Sequence, residues 1–281
     1  MSTLGIKDKD ASDQYLGVMG LGTSPAPFYS IPADFYTEVA KGNVAGHSII
    51  NKYGHNAATA NGSWEGLLDV GAQFNFVSAA ATVRVKAGGN AADTAAGAGA
   101  QAVTVEGLDD TGAFASESIE LAGASASSVT TTLFWRVYRM YVTPTRSGAY
   151  GAANTGDITL ENGTGGTDLI NILAGEGLSQ YGSYSIPLGK TGYLISLTLS
   201  SESTKPSNFR MFTRASLTDV TTPFEPKLLK GYWAGVEGTI VISPPSPRVV
   251  LPALTDVWIE AYGAGAITEV SGCIEILLVD D

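Results

Sequence analysis

From about residue 45 onward, apolar and polar side chains alternate with a period of two, which is the signature of half-buried β-strands. HSIINKYG (47–54) is the first such run, followed by a loop, HNAATANGSWEG (55–66). In QFNFVSAAATVRVK (73–86), Val83 and Val85 alternate with Arg84 and Lys86, and AGGNAADTAAGAGA (87–100) reads as a loop of small residues. QAVTVEGL and ASESIELAG flank the turn DDTG, a hairpin signal. SVTTTLFWRVYRMYVTP predicts one long strand, with Trp135, Val137 and Arg139 on one face and Arg136, Tyr138 and Met140 on the other. GDITLEN and DLINILAG add two more. The last hundred residues add YSIPL, TGYLISLTLS, NFRMFTRA, KLLKGYW, GTIVIS, DVWIEAYG and GCIEILLVD. Almost nothing repeats every 3.6 residues, and no motif recurs at fixed spacing, which argues against a propeller or solenoid. The expected fold is all-β, an antiparallel β-sandwich or jelly roll with one or two sandwiches.

Three regions are expected. Residues 1–40 differ from the rest. They begin charged, and Pro25, Pro27 and Pro32 then break regular structure. Disordered linkers are poor in aromatics, yet Phe28, Tyr29, Phe35 and Tyr36 lie here without a local core. The segment reads as an extended anchoring arm, with a short helix weakly signalled over 33–40. Residues 41–177 make a first β-sandwich region and 178–281 a C-terminal, jelly-roll-like region, divided at the glycine-rich AGEGLSQYG (174–182). If the first strands pair with the last, that break is only a loop.

Gly189-Lys190-Thr191 resembles the end of a P-loop, but the spacing fails. A P-loop needs a glycine five residues before the second one, and that position is Tyr184. A P-loop also opens a helix that receives the phosphate, whereas TGYLISLTLS alternates as a strand, with Tyr193, Ile195, Leu197 and Leu199 on one face. The stretch is expected to link two antiparallel strands.

Other chemistry is sparse. The two histidines, His47 and His55, have no elbow serine or helical partner spacing, and read as polar loop residues. Asp256, Trp258 and Glu260 share one face of a strand, a pattern that fits either a carboxylate pair beside an aromatic or a half-exposed sandwich strand. The strand is favoured. Asp109 and Asp110 sit in a turn where a calcium site would need more ligands. Trp233 and Trp258 are the aromatics available to a glycan-binding alternative. The single cysteine, Cys273, excludes an internal disulfide and reads as a small core residue. No catalytic residue, metal site or cofactor is expected, and the chain is read as no enzyme.

Composition sharpens this. Charged residues make up 15% of the 281 and glycines number 34, so the surface is covered with small, weakly hydrated groups. That suits a chain that packs against neighbours. A net charge of −11 offers no basic stripe for nucleic acid. The polar start MSTLGIKDKDASDQ shows no signal peptide, and no apolar run is long enough to span a membrane.

DTAAGAGAQAVTVEGLDDTGAFASESIELAG (93–123), FWRVYRMYV (134–142), YSIPLGKTGYL (184–194) and SGCIEILLVDD (271–281) resemble virion structural proteins of tailed bacteriophages. The resemblance covers about 45–281 and consists of strand texture and turn motifs. It implies a β-sandwich or jelly-roll protein of the particle: capsid decoration, head fibre or tail-associated. It carries no site residues across. It further implies synthesis in a host cytoplasm, location in the virion, and a homo-oligomer, most often a trimer, that contacts the major capsid protein or other virion proteins. Phe28, Tyr29, Phe35 and Tyr36 would form the particle-anchoring interface. A tail-associated receptor- or glycan-binding module, contacting a host surface glycan, is the alternative.

Overall fold

A computed structural model describes residues 18–19, 29–30, 34–69, 73–143, 153–218, 220, 227–243 and 249–281. Met1–Ala45 and Gly46–Asp281 form separate compact units. In the first, β1 (Val18–Met19) pairs antiparallel with β2 (Tyr29–Ser30), and α1 spans Phe35–Ala40. The helix starts at Asp34, whose carboxylate accepts the Thr37 hydroxyl at 2.6 Å. Near its end, the Glu38 carboxylate takes Lys41 Nζ at 2.9 Å and Asn43 Nδ2 at 2.6 Å. The arm is therefore not extended throughout.

The second unit is built from strands. They are β3 (His47–Thr59), β4 (Glu65–Gly66), β5 (Val83–Val85), β6 (Ala102–Asp109), β7 (Phe114–Glu120), β8 (Phe134–Thr143), β9 (Ile158–Asn162) and β10 (Asp168–Ile172). There follow β11 (Ser183–Ser185), β12 (Lys190–Ser201), β13 (Ser207–Arg214), β14 (Lys227–Val236), β15 (Gly238–Ile242), β16 (Val250–Leu251), β17 (Asp256–Gly263) and β18 (Thr268–Asp280). All pair antiparallel. One five-stranded sheet runs β15-β12-β18-β3, with β16 beside β12; the other runs β11-β17-β13-β14, with β4 beside β17. Two three-stranded sheets, β7-β6-β8 and β10-β9-β5, complete the set. The predicted hairpin is β6–β7, with Asp109 capping its turn: the carboxylate accepts the N–H groups of Thr111 and Ala113 and the Thr111 hydroxyl.

The five-stranded sheets face each other as a sandwich. The point of contact is visible at Gly272 of β18, where an added methyl would touch Leu67, Ile259 of β17 and Leu199 of β12. Along β18, Val270, Ile274, Ile276 and Leu278 point inward, while Cys273 and Glu275 point out. Cys273 is thus on the outer face, half-buried and 2.9 Å from Asn51, not a core residue. Burial and the Glu275 charge push its thiol up. The period of two places it outside because its neighbours Gly272 and Ile274 both face inward. In β12 a register shift between Leu194 and Ser196 reverses the alternation, so Leu194 points inward with Leu197 and Leu199, and Tyr193 does not.

β3 pairs with β18 from Val279↔His47 to Thr268↔Thr59, so the first long strand belongs with the last. Nearly all the buried apolar residues of 46–281 form one cluster, from Leu67 and Val83 to Leu278. The sheets therefore do not divide at 177/178, and 174–182 is a connecting loop. The predicted loop at 55–66 is strand as far as Thr59, held by the ladder to β18. Both histidines lie on β3.

The far face of the β11-β17-β13-β14 sheet is covered as well. There Arg210 pairs with Glu260, Phe212 stacks on Trp258 at 5.6 Å, and Arg214 pairs with Asp256, three cross-strand pairs in a row. Phe76 lies 5.1 Å from Trp258 and under the Arg136 and Arg214 guanidiniums. Arg136, from β8, reaches into this layer and joins Asp256. The face that sequence alone left half-exposed is interior.

Candidate functional site

Each chemical candidate has a defined place. Ile186 and Leu188 do not form a hairpin with β12. β11 lies in one five-stranded sheet and β12 in the other, and Pro187–Gly189 is the corner between them, with Gly189 at φ 75°. Lys190 pairs with Asp280, and the Thr191 hydroxyl donates to Asp281 at 2.7 Å, so both are tied to the end of β18. Neither belongs to a phosphate cradle.

Asp256 is fully buried. Its Oδ1 accepts from Arg136 Nε at 3.0 Å and Ser185 Oγ at 2.6 Å; its Oδ2 accepts from Arg136 at 3.0 Å and from Arg214 at 2.7 and 3.2 Å. Arg136 spends its remaining N–H groups on the carbonyls of Val77, Trp135 and Leu217. Glu260 accepts from Arg210 and, at 2.8 Å, from Trp258 Nε1. Asp256 is a saturated acceptor, Glu260 is held by Arg210 and Trp258, and both carboxylates are buried. Their geometry serves as a clamp between β8, β13 and β17.

Trp258 is 3% exposed and cannot act as a surface aromatic. Packing on both faces of β17, which a period of two does not reveal, buries it. Trp233 is half-buried and folds over Gly231. The aromatic surface that sequence reasoning missed comprises Trp64, Tyr232 and Tyr262. Trp64 meets Tyr262 at 4.5 Å and Tyr232 at 6.0 Å, and Arg210 lies 4.0 Å over its ring. Its members come from a loop, β14 and β17, so no local motif announces it.

His55 sits between two carboxylates, Glu269 at 2.9 Å and Asp69 at 3.9 Å. The Asp69 carboxyl is pushed up to about 6, first by burial; the Gln180 N–H and His55 act in the opposite direction. Its unfolded value is 3.8. Between about pH 4 and 6 the folded chain therefore binds more protons at this group than the unfolded chain. Its contribution to stability is most favourable below about pH 4 and falls as pH rises to about 6. Urea unfolding at about pH 4 and about pH 7 should show Asp69→Asn gaining more at the higher pH. An equal change at both values would contradict the assignment. Among the described residues, no group of three or more His, Cys, Asp and Glu side chains is arranged to hold a metal ion.

Part of the exposed apolar surface lies in loops, as at Leu178, Leu188 and Ile267, and part on sheet edges. β14 ends its sheet among the described residues, and Leu228, Leu229 and Tyr232 are each more than half exposed. Leu228 and Leu229 point to opposite faces, so this strand is bare on both. β15 ends the other sheet and carries Val241, 69% exposed. Of the four arm aromatics, Phe28 lies outside the described residues, as does the side chain of Tyr29. Phe35 is 45% exposed and meets Tyr36 edge-on at 5.5 Å. No helix is long and apolar enough to cross a membrane among the described residues.

No family model matches the chain, and neither does any curated protein. Among solved structures, the isomalto-dextranase of Arthrobacter globiformis T6 complexed with panose aligns at 13% identity and a TM-score of 0.22, over 73% of this chain. The chain spans only 34% of that protein's length. The VP2 subviral particle of infectious bursal disease virus aligns at 10% identity and a TM-score of 0.24, over 83% of this chain and 72% of the other. The Gx strain of the same virus gives 9% and 0.21, over 83% and 71%. Alignments at this level establish neither a shared fold nor a shared activity.

Proposed function

We propose that the chain is a non-enzymatic structural protein of a tailed-phage virion, a capsid decoration (cement) or head-fibre protein that self-associates, as a trimer. The bare edge strand β14 is the observation that carries this reading. An edge strand with apolar groups on both faces is an aggregation hazard in a monomer, and natural proteins cover or charge such edges. Here Lys227 and Lys230 charge part of β14, yet Leu228, Leu229 and Tyr232 beside them stay open, as does Val241 of β15. Contact with further copies or with the major capsid protein would close them. The sequence resemblance to phage virion proteins supports the same reading, and residues 1–40 supply the anchor. Deleting 1–40 is expected to abolish attachment to particles while the β unit keeps its unfolding transition. Co-sedimentation with particles, paired with a thermal melt, tests this; normal attachment of the truncated protein would overturn the anchor.

The Trp64, Tyr232 and Tyr262 cluster favours one second reading, a tail-associated module that binds a host surface glycan. Tryptophan fluorescence titrated with host polysaccharide should then change, and Trp64→Ala should abolish the change. A flat response across a broad glycan panel would count against it.

A further inference from the structure

A cleft of about 430 Å³ opens between β3 and the β7-β6-β8 sheet, and its floor holds a lysine with no counter-ion. Lys52 is 8% exposed. Its ammonium donates to the Tyr138 carbonyl and lies 5.5 Å over the Tyr138 ring, and among the described residues no carboxylate pairs with it. Tyr138 also lines the cleft, and its buried hydroxyl has no partner within full hydrogen-bond geometry, the facing Tyr184 hydroxyl being its polar neighbour. Tyr184 packs beside it at 4.7 Å. The rim is apolar and exposed, formed by Tyr53, Phe114 and Leu178. Burial of an unpaired ammonium and of an unpaired hydroxyl is unfavourable on both counts. Lys52 ties β3 to β8 through the Tyr138 carbonyl, a link that a neutral donor would make as well without the cost of burying a charge. A buried ammonium with one of its three N–H groups on a carbonyl and no carboxylate beside it, under an aromatic rim, calls for a ligand that brings acceptor oxygens and negative charge.

We propose that this cleft binds a small organic carboxylate, whose oxygens receive Lys52 and supply the acceptor that the Tyr138 hydroxyl lacks, while its body lies against Tyr53, Phe114 and Leu178. The site is independent of the virion reading. Burial, first, and then the Arg139 charge hold the Lys52 amine down at about 7, against a small opposing effect of Glu106. Those two charges, with the phenols of Tyr53, Tyr138 and Tyr184, are the titratable groups that line the cleft beside it. Arg139 and Glu106 pair with each other at 3.5 Å. A bound carboxylate favours the ammonium form, so binding at about pH 8 takes up protons and weakens as pH rises further.

Ligand-observed NMR and calorimetry on the full chain test this, with benzoate and glucuronate as probes and benzyl alcohol and glucose as their neutral counterparts. Saturable binding is expected for a carboxylate and not for its neutral counterpart; which carboxylate binds better tells an apolar body from a sugar body. Lys52→Met should weaken binding by about tenfold or more, the loss of a charged hydrogen bond. Tyr138→Phe should weaken it while leaving the melting temperature close to that of the wild type, because the hydroxyl it removes faces only that of Tyr184 and completes no full hydrogen bond. Heats measured in buffers of different ionisation enthalpy should show proton uptake in the wild type and none in Lys52→Met. No saturable binding of either carboxylate, equal binding of the neutral counterparts, or binding indifferent to both variants would overturn the proposal.

Discussion

Replacing Asp256 with alanine is expected to destabilise the β unit by about 3–5 kcal/mol, the usual result of removing one partner from a buried ion pair. The reason is the number of groups left behind. Asp256 accepts two hydrogen bonds from Arg136, two from Arg214 and one from Ser185, all in a layer closed to water. Without the carboxylate, two guanidiniums remain buried against Phe76 and Trp258 with no negative charge between them. Asp256→Asn keeps the shape but not the charge, and should fall almost as far. Ser185→Ala removes one donor and should lose about 1 kcal/mol. Urea midpoints at an unchanged slope are the measurement. A loss below about 1 kcal/mol for Asp256→Ala would mean that the layer rehydrates and is not the clamp described.

Gly54→Ala is expected to be nearly as severe, at about 3 kcal/mol or more, the upper end for overpacking. Gly54 lies mid-strand in β3, opposite Gly272. A methyl there would overlap the Gly182 Cα and nitrogen and the Leu67 carbonyl oxygen. All three are backbone atoms, so no rotamer change relieves the clash. The same Leu67 carbonyl accepts the Gly182 N–H at 2.8 Å, and this contact ties the 174–182 loop to the sandwich. A chemical melt of the variant should show early loss of that region. Near-wild-type stability would show that the loop can lift away freely.

The strand pattern was legible because burial on one face leaves a period of two. It failed where burial is not one-sided. β17 is buried on both faces, so Asp256, Trp258 and Glu260 looked half-exposed. β12 reverses its alternation at a bulge, a backbone event that no residue type announces. Long-range partners were also out of reach. Arg136 meets Asp256 across 120 residues, and β3 meets β18 from opposite ends of the unit. The small-residue loop at 87–100 read as featureless. It is organised by buried Asp93, whose carboxylate accepts the N–H groups of Ala100, Thr155 and Gly156. The Lys52 cleft and the Trp64 cluster are likewise products of topology, each drawing side chains from three or more distant segments. That the Gly-Lys-Thr stretch leads into a strand and opens no helix was legible, since spacing and strand alternation are local.

Gold-labelled antibody against the chain, applied to purified phage particles and viewed by electron microscopy, tests the virion reading most directly. Gold distributed over the head is the predicted result, and gold confined to the tail would transfer the weight to the glycan-binding module. Absence of gold from both intact and disrupted particles would contradict the virion reading altogether.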